Sequence, residues 1–215
     1  GLEVGDPLRL GDGSDELEVV YLGLMEKARG VGLLIDAAAQ CRRAGVPVRL
    51  SLIGDGRDLD EFVAHAREHD LGDDVIDFHG YVQNDAALRQ VAQSDVGVIP
   101  HHAYESWETT IPNKLFDYMA AGIPVVASDA KPVERVVEET RCGIVFDDRD
   151  RSDLAAAIAQ LHRSGPGARR DMGEAGRRAV AERYHWELDA SRLLQALEVT
   201  AGRHRQVVKT SRAGP

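Results

Sequence analysis

Cysteine is scarce, with Cys41 and Cys142 the whole supply in 215 residues. Their separation fits neither CxxC nor a zinc-ligand spacing. A disulfide framework and a cysteine-built metal centre are therefore excluded, and both residues are expected as small buried hydrophobes in a reducing compartment, the cytoplasm. Long hydrophobic runs are absent too. No apolar stretch approaches the ~18–20 residues of a membrane span, and no charged segment followed by an apolar one marks a signal peptide. Basic charge is in deficit: 26 Lys and Arg stand against 36 Asp and Glu, a formal net charge of −10. A nucleic-acid surface or a polybasic membrane patch favours the opposite balance. The common nucleotide fingerprints are missing as well. GxGxxG does not follow the first strand, which disfavours NAD or FAD there, and Gly-x4-Gly-Lys-Ser/Thr does not occur. No Ser-His-Asp order or nucleophile elbow is present. His101 and His102 are adjacent, so in extended chain they point opposite ways, and no carboxylate or cysteine stands at ligand spacing; no metal is expected.

What is present is enough for one domain with a core of its own, in a chain of 23.5 kDa that is 43% apolar. The chain starts at Gly1 rather than Met, and residues 1–17 read as a linker, so the sequence is expected to be a piece of a longer protein. Residues 201–215 form a tail with Arg203, Arg205, Lys209 and Arg212 and no acid, expected to be solvated and poorly ordered, with at most weak contact with anionic lipid. Between them, residues 18–200 alternate short β-type runs with helical patterns. Strands are predicted at Glu18–Leu22, Val48–Ile53, Val75–His79, Val96–Ile99, Pro124–Ser128 and Ile144–Phe146. Helices are predicted at Val31–Ala44, stopped by Gly45, and at Asp58–Leu71, closed by Gly72. Others follow at Asp85–Gln93, Asn113–Ala121 and Val133–Glu139. Asp150 or Ser152 is expected to cap the next helix, to His162. After a break at Ser164–Gly167, two closing helices are predicted, Ala168–Arg183 and Leu188–Thr200. Trp107 and Trp186 read as packing residues.

This rhythm implies an α/β fold, a doubly wound six-stranded parallel sheet of Rossmann type. Ligands of such sheets bind at the strand C-termini, so the loops that follow the strands are the candidates for function. In Gly23–Gly30, Lys27 and Arg29 lead into a helix and could form an anion site, or simply be a solvated basic pair. Gly54 and Gly56 allow close approach of a ligand or of another backbone. The loop Pro100–Ile111, about twelve residues long against the usual ~2–6, delivers a helix N-terminus to the same edge. Lys114 stands in the first turn of that helix. Asp117 can accept two hydrogen bonds from a vicinal diol such as ribose, or merely complement the helix dipole. Phosphate at the helix tip with ribose one turn deeper describes a nucleoside diphosphate.

The run Pro112-Asn-Lys-Leu-Phe-Asp-Tyr-Met-Ala-Ala-Gly-Ile-Pro-Val-Val-Ala-Ser-Asp129 strongly resembles the nucleotide-sugar-binding half of family 4 glycosyltransferases of the GT-B fold. Tyr21-Leu-Gly with Arg29-Gly30, Leu52–Gly56, Phe78–Val82, Asp95–Pro100 and Met172–Trp186 extend the resemblance over about residues 18–200. The resemblance implies that Arg29, at the family's principal basic position, and Lys27 hold the donor diphosphate and stabilise it as leaving group. It implies that Gly54 and Gly56 let the donor lie close and that the turn Gly80–Val82 meets the base. Ile111–Leu115 would offer backbone N–H groups to the phosphates, with Lys114 adding charge. Asp117 would take the second acidic position of the family's Glu-x7-Glu motif and bind ribose.

Thr109, beside Thr110, stands where that motif has its first Glu; Glu108 and Glu105 are the nearby alternatives. Among family 4 enzymes the "PNKLFDYMAAG" pattern is most similar to bacterial surface-polysaccharide transferases. The implied function is the donor half of a retaining, metal-independent glycosyltransferase with no cofactor beyond its nucleoside-diphosphate-sugar substrate. The acceptor-binding half would lie before Gly1, and the full-length protein is expected in the cytoplasm, at most peripheral to the inner face of the membrane. A non-catalytic regulatory βα module and part of a GT-B-fold sugar-nucleotide epimerase are the alternatives.

Overall fold

The computed structural model describes residues 16–102, 108–185 and, in a following helical stretch, 188, 190, 191, 193–195 and 197. Most of the expected linker, the basic tail, Glu105, Trp107 and Trp186 lie outside the described residues.

All sheet pairings are parallel, across β1 (Leu17–Leu22), β2 (Val48–Ile53), β3 (Ile76–Gly80), β4 (Val96–Ile99), β5 (Val125–Ser128) and β6 (Gly143–Phe146). Their spatial order is β3-β2-β1-β4-β5-β6. The order reverses between β1 and β4, and that reversal is where a doubly wound sheet opens a crevice for a ligand. Leu17, expected in the linker, is instead buried as the first residue of β1.

The helices divide between the two faces. α1 (Val31–Arg43) and α2 (Leu59–Glu68) bury Leu34, Ala38, Cys41, Phe62 and Ala66 on one side. α3 (Asn84–Val91), α4 (Asn113–Ala121) and α5 (Lys131–Thr140) bury Val91, Leu115, Tyr118 and Val137 on the other. α6 (Asp153–Arg183) serves both faces because Gly165, at φ 77° and ψ 169°, breaks it ahead of Pro166. Its first arm puts Leu154, Ile158 and Leu161 into the first cluster, and its second arm puts Ala179 into the second. The expected break at Ser164–Gly167 is thus a change of face. The described positions after residue 187 are helical, within the predicted last helix.

Some boundaries differ from expectation. α2 stops at Glu68, and Asp70, not Gly72, takes the left-handed turn at φ 56°. The Asp70 and Leu71 N–H groups donate to Arg67 O and Ala66 O, so the helix end is satisfied before Gly72 is reached. Ser152 stands at the N-cap of α6, yet its hydroxyl donates to Asp150 Oδ1 instead of capping the helix. Cys41 and Cys142 are free and buried, as expected. Among the described residues, no helix is long and apolar enough to cross a membrane.

β1 and β4 pair only at Val19↔Val96 and Val20↔Gly97 and then part. Tyr118 fills the opening. Its hydroxyl accepts from the Leu22 N–H at 3.0 Å and faces Val98 O at 3.4 Å. Gly97 makes room for the ring, because a Cβ there would lie 2.4 Å from Tyr118 Cγ. Tyr118→Phe leaves the Leu22 N–H without its acceptor, and urea melts should show a loss of about 1–3 kcal/mol.

Candidate functional site

The loop after β1 is built by glycines in conformations other residues avoid. Lys27–Arg29 form one 3₁₀ turn, closed by the Gly30 N–H donating to Lys27 O at 3.0 Å, with Gly30 at φ 71°. A Cβ on Gly30 would lie 1.6 Å from Pro100 O, so the loops after β1 and β4 touch there through their backbones. The loop after β2 closes on the same turn. A Cβ on Gly54 would meet Gly23 O at 1.9 Å, and one on Gly56 would meet Met25 O at 2.5 Å. Backbone approach within the fold therefore accounts for Gly54 and Gly56. Gly54 N–H donates to Gly80 O at 2.9 Å, which ties in the end of β3. Gly80 itself has φ 64° and open space where a Cβ would go. Beyond it, Tyr81 is exposed and Val82 packs against the second core cluster.

α4 brings its first turn to this crossing. Lys114 is buried, with its Nζ 4.0 Å from the centroid of the Tyr21 ring and 3.4 Å from His101 Nε2. The Lys114 ammonium donates, so His101 accepts and carries its own proton on Nδ1. Tyr21 holds its position by donating to Leu24 O at 2.8 Å. Burial, then the like charge of Arg29, push Lys114 down to about 7, while Asp117 pulls the other way. Burial, with Lys114 and Arg29, pushes His101 down to about 2, so its imidazole is neutral at any ordinary pH. Asp117 is pushed up by its own burial, against the pull of Lys114. Among the described residues, no carboxylate comes within salt-bridge distance of Lys114. The site therefore holds a buried ammonium hydrogen-bonded to a neutral ring.

Arg29, Lys114 and Asp117 are brought into one electrostatic neighbourhood, and Lys27 is not. Its backbone N–H donates to Asp58 Oδ2 at 2.8 Å, and its ammonium pairs with Glu61 of α2. That pairing turns the Lys27 ammonium toward α2. The N–H contribution of Ile111–Leu115 is narrowed. Pro112 has no N–H, and Leu115 donates to Pro112 O at 3.0 Å while its side chain enters the core. Asn113 and Lys114 keep the first-turn N–H groups that a helix leaves over. Thr109 and Thr110 are exposed and Glu108 is half-buried. His102 Nδ1 lies 3.6 Å from Asp148 Oδ2. Tyr118 and the pairing role of His101 were not singled out in the sequence; the signal available was an aromatic directly after Asp117 and a histidine directly after the fourth strand.

The model of the family described as glycosyl transferases group 1 matches residues 16–164. A glycogen synthase of Mycobacterium tuberculosis is 26% identical over 178 residues, 83% of this chain and 41% of that protein. A phosphatidyl-myo-inositol mannosyltransferase of Mycobacterium leprae is 30% identical over 184 residues, 85% of this chain and 46% of its own length. The chain thus spans less than half the length of these curated relatives. Among solved structures, Staphylococcus aureus TarM with UDP superposes at a TM-score of 0.74 and 19% identity, covering 90% of this chain and 37% of that one. Anabaena HepE with UDP-glucose superposes at 0.74 and 19% identity, covering 86% and 49%. These likenesses show a shared fold, and the family pattern runs from the start of β1 through the first arm of α6: the chain belongs to the glycosyl transferases group 1.

Proposed function

We propose that this chain is the nucleotide-sugar-binding half of a retaining glycosyltransferase. The observation that carries the reading is Lys114, a buried cation with no carboxylate beside it among the described residues, at the point where the sheet order reverses. A diphosphate answers that arrangement. Its oxygens would meet the Lys114 ammonium, the Arg29 guanidinium and the N-terminal N–H groups of α4 together. Asp117 would accept from the ribose hydroxyls one turn deeper, and the turn at Gly80–Val82 would receive the base. When the glycosidic bond breaks, negative charge grows on the departing diphosphate. Positive groups already fixed around it stabilise that charge without reorganising, and in this reading no metal is required.

The UDP and UDP-glucose complexes of the related folds support a nucleoside-diphosphate-sugar donor. Retention of anomeric configuration follows from the resemblance to family 4 enzymes. The length of the curated relatives supports an acceptor-binding half outside these 215 residues. The domain limits proposed are 17–200 for the donor-binding unit. The protein's place would be the cytoplasm, at most peripheral to the inner face of the membrane.

Isothermal calorimetry of the chain against UDP, GDP and their sugars tests the reading. Saturable heat with one of them is expected, and none with any, in a folded sample, overturns it. Arg29→Ala and Asp117→Ala should each weaken the best nucleotide by about 1–3 kcal/mol, the value of a lost charged hydrogen bond. Lys27→Ala should change it far less, because its ammonium is engaged by Glu61.

A further inference from the structure

Away from the donor site, α1 and α2 bring together three side chains with no part in it. His65 and His69 stand one turn apart on α2 and at its C-cap, and Asp36 faces them from α1. His65 Nε2 lies 2.8 Å from Asp36 Oδ1, and His69 Nε2 lies 2.9 Å from the same oxygen. The ligand atoms of the three residues all fall within 4.8 Å of one another, and all three residues are partly exposed. From this geometry we infer that Asp36, His65 and His69 form a binding site for a divalent transition metal, zinc above all.

Two imidazoles and one carboxylate are the donor set that a borderline ion such as Zn2+ takes, whereas Mg2+ and Ca2+ prefer oxygen alone. A tetrahedral zinc with bonds of about 2.0–2.1 Å holds its ligand atoms about 3.3 Å apart. The Nε2–Oδ1 distances of 2.8 and 2.9 Å need to widen by only a few tenths of an ångström. In the metal-free protein both Nε2–H groups donate to the one carboxylate oxygen. On binding, each Nε2 gives its lone pair to the metal and the ring proton moves to Nδ1, so each imidazole stays neutral. For His65 a carboxylate stands near that nitrogen, with Glu68 Oε2 3.6 Å from Nδ1. A carboxylate behind a metal-bound imidazole fixes the ring in that way. His65 and Glu68 also line a groove of about 450 Å³. The sequence carried half of this signal, a His-x3-His spacing on one helical face. Asp36, 29 residues earlier, joins only when α1 packs on α2.

The test uses the chain without a polyhistidine tag, stripped with chelator. Titrated with ZnCl2 against a chromophoric chelator, the wild type should bind one ion per chain, and thermal melts should rise by several degrees. His69→Ala and Asp36→Asn should each weaken zinc at least about tenfold. MgCl2 should leave the melt unchanged. CoCl2 offers a reading on the wild type alone: an intense visible band reports a four-coordinate ion held by protein nitrogens, and this keeps the test decisive should a variant not fold. Zinc affinity equal in the wild type and the His65→Ala/His69→Ala double variant overturns the proposal. So does a cobalt spectrum no stronger than that of the free ion. Binding of UDP to the chelator-treated chain reads the donor site separately, so either conclusion can fail without the other.

Discussion

Gly30→Ala should abolish folding, or lower stability by more than about 4 kcal/mol, a loss reserved for a small set of mechanisms. Two of them coincide here. Gly30 sits at φ 71°, where an alanine costs about 1–2 kcal/mol. Its new methyl would also lie 1.6 Å from Pro100 O. That partner is a backbone carbonyl at the end of β4, so no rotamer change relieves the clash, and the loops after β1 and β4 would have to separate. Gly45→Ala is the matched control. Gly45 has φ 75° and nothing within 4 Å of the added carbon, so only the conformational cost should appear. Urea denaturation of both variants, followed by circular dichroism, separates the two effects. Equal losses would show that the approach of the two loops contributes nothing.

Lys114→Met is expected to move stability and binding in opposite directions. Burial pushes Lys114 from 10.5 down to about 7. Between those values the unfolded chain holds a proton that the folded chain has given up, so wild-type stability rises with pH across that window. Below about pH 7 the ammonium is buried in full and its penalty is constant. Methionine fills similar space without the charge. At pH 6 the variant should therefore exceed the wild type by about 1–4 kcal/mol, the range seen when buried charge is replaced by apolar volume. The advantage should shrink above pH 7 and be gone near pH 10.5. Binding should show the reverse. A diphosphate favours the charged lysine and raises its pKa, so the wild type should take up close to one proton on binding UDP at pH 8. Affinity should be highest below about pH 7 and fall as pH rises through it. Calorimetry in two buffers of different ionisation enthalpy measures the uptake. The methionine variant should bind at least about 100-fold more weakly, in line with loss of a buried charged contact of ~3 kcal/mol. It should show no proton uptake. An unchanged affinity would remove Lys114 from the donor site.

The sequence was most informative where local pattern and punctuation agree. Val48–Ile53, Val96–Ile99 and Asn113–Ala121 fall as predicted, the last closed by Gly122 at φ 74°. Each is bounded by glycine, proline or a charged turn, and each buries a continuous or single-faced apolar set. The end of α2 was harder to read, because an aspartate took the left-handed position that composition assigns to glycine. The site divides in the same way. The helix tip that carries Lys114 was legible from Pro112 and the long loop before it. The outward turn of Lys27 was not, since it depends on Glu61 in the next βα unit. The stack of Tyr21, Lys114 and His101 joins residues from β1, α4 and the end of β4, and no spacing within one segment announces it.

The glycine contacts at the ligand edge have a consequence for how such a protein can change. Gly30 against Pro100, Gly54 against Gly23, and Gly56 against Met25 lock three loops by main-chain atoms rather than by side chains. One inserted residue in any of them would move the other two. Length variation is then expected outside the segments that these three contacts join. Lineages of this fold that acquire new substrates should carry their insertions and deletions there and keep the loops after β1 and β2 at constant length.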